Sequence, residues 1–318
     1  MTTHIEARRF DSTIPPRPAT EKFVDRGFLW LTRILALAVA GVLIFITVVV
    51  AVQALPAIRE YGLKFVIMSD WNPVEEIYGI LPMIYGTLAS SAIGLIFAVP
   101  LGVGTAIFLS ENFLPLAIRT PLIIMVELLA AIPSIVYGLW GIYVLTPLLQ
   151  APATWLHDHL GWMVLFSSPF QGRGMLPAGL ILTIMVLPII TAISRDSLAS
   201  LPPELRQASL GLGATRWATI FRVLIPAAFS GIVGGIMLGL GRAMGETMAV
   251  TLLIGNSNNL DFSLLAPANT IASLLANQFS EASGLQIASL MYAGLILFFL
   301  TLVVNVFAEL IVRNVKKF

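Results

Sequence analysis

Residues 227–253 read AAFSGIVGGIMLGLGRAMGETMAVTLL, twenty-seven positions holding only two ionisable side chains, Arg242 and Glu246. A helix rising 1.5 Å per residue crosses a bilayer core of about 30 Å in roughly 20 apolar residues, so this window is long enough to span a membrane. Five more windows of the same kind flank it: Ile34–Val52, Tyr85–Leu109 with Pro100, Pro121–Gln150 interrupted by Glu127 alone, Met175–Ser194 with Pro188, and Leu285–Ala308. Proline inside such a window predicts a kink. None alternates as a barrel strand does, and in lipid only helices or closed barrels satisfy their own backbone. The predicted fold class is an all-α membrane protein with six transmembrane helices.

Composition agrees. Of 318 residues, 58% are hydrophobic and 11% charged, against roughly 25% charged in a soluble domain. Eighteen Lys+Arg and seventeen Asp+Glu give a formal charge of +1, which excludes a nucleic-acid footprint. The absence of cysteine excludes a disulfide scaffold, a thiolate metal site and a cysteine nucleophile.

Orientation follows from the cations, which concentrate on the cytoplasmic side. Arg8, Arg9, Arg17, Lys22, Arg26, Arg33, Arg119, Arg195, Arg206, Arg216, Arg222, Arg313, Lys316 and Lys317 fall on one side of the six windows, and only Arg59, Lys64 and Arg173 on the other. Both termini are therefore predicted to be cytoplasmic, in a multi-pass protein of the bacterial cytoplasmic (inner) membrane. Residues 1–27, with Pro15, Pro16 and Pro18, read as a disordered cytoplasmic tail and 28–318 as the membrane domain. The first apolar run starts too late and is too long for a cleaved signal peptide. Between the first two windows, Tyr61, Trp71 and Tyr78 are candidate interfacial anchors. His157, Asp158 and His159 read as solvated residues of the 151–174 loop, since a metal site needs a third ligand.

Catalytic signatures are absent. No G-x-x-x-x-G-K-[ST] occurs, because none of the four lysines follows a glycine; if ATP drives transport here, another subunit hydrolyses it. Gly239, Gly241 and Gly245 have the wrong spacing and setting for a dinucleotide fingerprint. Neither G-x-S-x-G nor H-E-x-x-H is found, so the chain is read as a transport subunit needing no cofactor.

Between the fourth and fifth windows, SLPPELRQASLGLGATRWATIFRVLIP (200–226) looks soluble and structured. A proline pair suits a helix start, and Leu205, Ala208, Ser209 and Leu212 recur at helical spacing. Gly211 and Gly213 can end that helix, and Thr215 is a candidate N-cap for a second one whose apolar face is Trp217, Ile220, Phe221 and Leu224. On periodicity alone this is equally an interfacial helix lying on headgroups. The stretch QASLGLGATRWATIFRVLIP (207–226), however, resembles the EAA loop of binding-protein-dependent ABC transporter permeases, with its glycine at Gly213 and its terminal proline at Pro226. Gln207 stands where that family usually has glutamate, keeping hydrogen-bonding capacity without the charge. The runs YGTLASSAIGLIFAVPLGVGTAIFLSE (85–111), ELLAAIPSIVYGLWG (127–141) and GGIMLGLGRAMGETMAV (234–250) are similar to the permeases of phosphate-uptake transporters. The resemblance implies a type I permease core in windows two to six with an added N-terminal helix, and a coupling loop at 200–226 in which Glu204, Gln207, Ala208, Ser209, Gly213 and Pro226 meet an ATPase. It also implies a second, PstA-like permease subunit, a PstB-like ATPase dimer, a PstS-like periplasmic phosphate-binding protein and inorganic phosphate as cargo. Other oxyanions or small solutes, and a channel or secondary transporter without an ATPase, are the rival readings.

Charges inside spans are costly and usually face a bundle interior or an aqueous path. Gly231, Gly235, Gly239, Arg242 and Glu246 follow at helical steps, and glycines on such a face admit another backbone. Arg242 and Glu246 stand one turn apart and can pair. Either they form a structural ion pair with Glu127 as a second partner, or Arg242 offers its planar donors to phosphate while Glu246 and Glu127 hold it and moderate its affinity. Pro133, Ser134 and Tyr137 read as a packed kink or a gate; Asn256, Asn258 and Asn259 as a polar outer loop or a surface for the binding protein.

Overall fold

The computed structural model describes residues 19–111 and 113–315, with side chains from 23 to 310. The chain divides into two units, residues 1–49 and 50–318. In the first, helix α1 (Ala19–Tyr61) begins; Phe28, Leu37 and Phe45 are among its many exposed apolar side chains, the pattern of a helix whose whole circumference suits lipid. Residues 19–27 are thus helical where a disordered tail was expected; 1–18 lie outside the described residues, as does the C-terminal pair Lys316 and Lys317.

The second unit is a helical bundle of its own. In chain order come α2 (Lys64–Ile67), a two-stranded antiparallel hairpin of β1 (Trp71–Asn72) and β2 (Ile77–Tyr78), then α3 (Leu81–Ser110), α4 (Leu116–Ala131), α5 (Ser134–Trp140), α6 (Thr146–Leu160) and α7 (Met175–Ala199). They are followed by α8 (Pro203–Gly211), α9 (Arg216–Thr219), α10 (Ile225–Gly245), α11 (Met248–Leu253), α12 (Ile271–Gln278) and α13 (Leu285–Val315). Among the described residues six helical stretches are long and apolar enough to cross a membrane: Phe23–Tyr61, Leu81–Ser110, Ser134–Leu160, Met175–Ala199, Arg216–Gly245 and Leu285–Leu310.

Two expected spans are redrawn. The third window does not run from Pro121 to Gln150. Ile132 takes an extended backbone (ψ 128°), as the residue before a proline tends to, and the spanning helix is Ser134–Leu160. Its last turn carries His157, Asp158 and His159, so these are helical and not in a loop. His157 Nδ1 sits 2.9 Å from the Phe166 carbonyl and His159 Nδ1 3.0 Å from that of Trp155, and among the described residues no cluster could hold a metal. The fifth helix stops at Gly245, because Glu246 is extended (ψ 127°), and α11 follows separately.

Prolines in the spans are absorbed in two ways. Through Pro100 and Pro188, α3 and α7 continue as single helices. Before Pro147 and Pro226 the helix widens instead: Gly141–Leu145 and Ile220–Leu224 are π-helical turns, closed by Thr146 N–H donating to the Gly141 carbonyl and Ile225 N–H to that of Ile220. A proline has no N–H and crowds the carbonyl four residues back, and a wider turn immediately before it relieves both problems.

The core is built on α3 against α7. A Cβ on Gly179 would fall 2.5 Å from Ile93 Cβ, so only hydrogen lets the two backbones come this close. Thr183 and Thr191 of α7 donate to the Gly94 and Gly102 carbonyls of α3, each at 3.3 Å, the interhelical polar contact that apolar surroundings favour. A second cluster lies at the α2 and hairpin end. Phe65 stacks on Tyr292 with centroids 4.6 Å apart, and Trp71 meets Tyr78 edge-on at 4.9 Å. Trp71 Nε1 donates to Gln278 Oε1 at 2.8 Å, and the Tyr61 hydroxyl donates to the Glu76 carbonyl. Trp71 and Tyr78 are buried in this cluster and Tyr61 is half-buried at its edge.

Candidate functional site

The segment between α7 and α10 folds as its sequence suggests in outline. Pro203 occupies the first turn of α8, with Glu204 exposed beside it where the helix dipole favours an acid. The helix ends at Gly211, and Gly213 turns the chain at φ +83° with open space around it, a backbone that costs other residues strain. Thr215 then caps α9, its side chain accepting from the Ala218 N–H at 3.2 Å. Pro226 sits in the first turn of α10. The face at helical spacing points outward: Leu205, Ala208 and Leu212 are exposed, Leu212 at 90%, and α8 buries none of its residues. The second face divides, with Ile220 and Leu224 in the core and Trp217 and Phe221 outside, where they stack on each other at 5.9 Å.

What holds α8 to the bundle was not legible in the sequence. Ser209 Oγ and Thr219 Oγ1 share a hydrogen bond of 2.9 Å. Arg206 reaches Glu111, the residue capping the end of α3, at 3.0 Å. Gln207, Leu210 and Arg216 line, with this pair, a hollow of about 420 Å³. A cation at the start of one helix and an acid at the end of another, ninety-five positions apart, give no periodic signal.

The glycine face of α10 packs as anticipated but does not carry Arg242 with it. A Cβ on Gly231 would fall 2.0 Å from Ser197 Oγ of α7, and on Gly235 and Gly239 3.1 Å from Ile193 and Ile190. That row continues through buried Ala243, whereas Gly241 and Gly245 have nothing within 4 Å. Arg242 turns to this open side. It is exposed, and with Glu246 lines an open hollow of about 500 Å³ floored by Gly241, Gly245, Ile189 and Leu238. Among the described residues no ion pair joins Arg242 to Glu246, because the helix ends between them and the one-turn spacing is lost. Glu246 Oε1 instead accepts from the Ala249 N–H at 3.3 Å.

Glu127 is not brought to Arg242 either. It pairs with Arg195 of α7 at 3.2 Å, and Arg195 also holds Asp196 at 2.9 Å. Pro133 caps α5 and Ser134 starts it, and the Tyr137 hydroxyl donates to the Leu129 carbonyl at 2.8 Å, adding to the 3.4 Å bond that carbonyl accepts from the Ile132 N–H where α4 breaks. The asparagines after α11 are tied locally: Asn256 Nδ2 to the Thr251 carbonyl at 3.0 Å, and Asn258 Oδ1 to Asn269 Nδ2 at 2.9 Å. Asn259 is exposed.

Comparison with known proteins bears on both sites. Residues 98–317 match the family described as binding-protein-dependent transport system inner membrane component. The chain is 43% identical over 299 residues to the phosphate transport system permease protein PstC of Pasteurella multocida, covering 92% of this chain and 93% of that one. It is 40% identical over 262 residues to a probable PstC of Methanocaldococcus jannaschii, covering 80% and 82%. Among solved structures it is similar to a chain of a bacterial ABC transporter involved in import of the acidic polysaccharide alginate, at TM-score 0.57 and 17% identity, covering 93% of this chain and 99% of that one. A chain of the MetNI methionine ABC transporter in an inward-facing conformation matches at TM-score 0.51 and 18% identity, covering 74% and 94%.

Proposed function

We propose, from the premise that this chain belongs to the binding-protein-dependent transport system inner membrane components, that it is the permease subunit of an ATP-driven importer of inorganic phosphate. It is a multi-pass inner-membrane protein with a type I permease fold and an additional N-terminal helix; it transports, and ATP hydrolysis belongs to a separate subunit. The relatives that carry the PstC name support phosphate as cargo. The partners are a PstA-like second permease subunit completing the path, two PstB-like ATPases and a PstS-like binding protein delivering phosphate from outside. Both termini face the cytoplasm, as the cation bias requires. The exposed surface of α8, with Glu204, Gln207, Ala208 and Leu212, seats on the ATPase; Ser209 and Gly213 shape it.

The observation that carries the path assignment is Arg242: a guanidinium within the apolar length of a spanning helix, facing an open hollow, with no hydrogen-bonding partner among the described residues. Its planar fork suits two oxygens of a tetrahedral oxyanion. Glu246 on the same hollow keeps the anion from being held too tightly. Glu127 acts at a distance by fixing Arg195 on α7. Transport then proceeds by alternating access, in which ATP and the loaded binding protein must favour different conformations of the permease.

The test is phosphate uptake by the reconstituted transporter carrying Arg242→Gln. Loss of charge-assisted bonds worth about 1.5–3 kcal/mol predicts a fall of roughly ten- to a hundredfold, with Arg242→Lys intermediate. Undiminished uptake by a normally assembled Arg242→Gln complex refutes the path assignment, and uptake blocked equally by unlabelled sulfate or molybdate refutes phosphate as the preferred cargo.

A further inference from the structure

Arg206 turns every nitrogen of its guanidinium to the bundle. Its Nε lies 3.1 Å and Nη2 3.0 Å from Glu111 Oε1, Nη2 also donates to the Leu198 carbonyl at 2.9 Å, and Nη1 donates to the Leu201 carbonyl at 3.2 Å. The acceptors belong to the cap of α3, the last turn of α7 and the link into α8. Both side chains are largely withdrawn from solvent, Arg206 at 23% and Glu111 at 10% exposure, so this is a better-shielded pair than a surface salt bridge. Since α8 buries no residue of its own, apolar packing does not fix its position. The tie to Glu111, with the Ser209–Thr219 hydrogen bond, does.

We infer that Arg206 and Glu111 are positioning residues that carry displacement of α8 into the spans. This rests on the importer reading above. The route is continuous. A shift of α8 pulls through one rigid fork on the ends of α3 and α7 together. These two helices are packed without slack at Gly179 and bonded through Thr183 and Thr191. On its other side α7 presents Ile190, Ile193 and Ser197 to the glycine row of α10, one turn from Arg242. A tie of this kind has a function beyond stability: without it α8 can follow the ATPase while the spans stay behind, and ATP is hydrolysed without transport. Lysine cannot substitute, because one ammonium cannot reach a carboxylate and two carbonyls in this planar arrangement.

The experiment uses the complete transporter in proteoliposomes and reads phosphate taken up per ATP hydrolysed. Arg206→Lys and Glu111→Gln are each expected to keep ATPase binding and hydrolysis stimulated by the binding protein while uptake per ATP falls by about fivefold or more, the usual scale of a coupling lost between sites. Because the chain has no cysteine, a Glu111→Cys/Arg206→Cys double variant can be bridged by a short bifunctional thiol reagent in a complex whose other subunits are also cysteine-free. Bridging is expected to restore uptake per ATP, including where the single variants assemble poorly. Unchanged uptake per ATP in both single variants, or a bridged double variant no better than the unbridged one, overturns the inference. Failure of the phosphate reading is distinguishable, since it shows in the wild-type complex as absent phosphate uptake before any substitution is made.

Discussion

The same substitution, glycine to alanine, should have opposite consequences three residues apart on α10. At Gly231 the added methyl would stand 2.0 Å from Ser197 Oγ and 2.6 Å from Ser197 Cβ, whereas carbon contacts are comfortable at about 3.5–4.0 Å. Rotating Ser197 moves the hydroxyl, at the cost of its 2.7 Å bond to the Ile193 carbonyl, but the Cβ is fixed to the α7 backbone. About 1 Å of separation must come from the helices themselves. Overpacking of this kind costs about 1–3 kcal/mol, against which alanine returns about 0.5–1 kcal/mol of helix stability. At Gly234 nothing lies within 4 Å, so only that gain remains. The difference between the variants is about 1–3 kcal/mol, of opposite sign about the wild type. Thermal unfolding of the purified chain in detergent reads it: Gly231→Ala melts lower, Gly234→Ala does not. Adding Ser197→Gly to Gly231→Ala removes both close contacts and should recover most of the loss. Equal destabilisation by the two alanines, or no recovery with Ser197→Gly, would refute the assignment of the packed face.

Further outcomes follow from single contacts. Gly213→Ala forces a left-handed backbone (φ +83°) on a residue with a Cβ, costing about 1–2 kcal/mol; co-purification of the ATPase should weaken while the melting of the spans is unchanged. Tyr137→Phe removes the shorter of two hydrogen bonds to the Leu129 carbonyl and leaves it only the 3.4 Å bond from the Ile132 N–H, so a loss of about 0.5–1.5 kcal/mol is expected in the same thermal assay. Burial pushes the Tyr78 phenol above its ordinary value of 10.0, with Glu76 adding to the shift. The fold therefore favours the neutral phenol, keeps that contribution below pH 10, and loses it as pH rises through the raised value; ultraviolet titration should find a tyrosine ionising late, and Tyr78→Phe should flatten the alkaline loss of stability.

Much of the candidate site could be read locally. Proline at the start of α8, glycine at its end, the Thr215 cap and the turn at Gly213 each depend on a few neighbouring residues, and each stands where its spacing put it. The close approach of Gly231, Gly235 and Gly239 was also legible, because a four-residue step keeps one face. Of the two readings of Arg242 and Glu246, the ion pair depended on helical spacing carried one residue beyond Gly245, where the helix stops.

What the sequence determined by itself was the number of spans and the place of the loop between α7 and α10, because hydrocarbon demands about 20 apolar residues from any crossing helix and a bond between near neighbours ignores the rest of the chain. Only the tertiary structure decided which charge meets which. Glu111 finds Arg206, Glu127 finds Arg195, and Arg242 is left facing open space. Such choices depend on where distant helix ends come to lie, and the Coulomb attraction that settles them acts through distance in space, which the order of residues along a chain does not record.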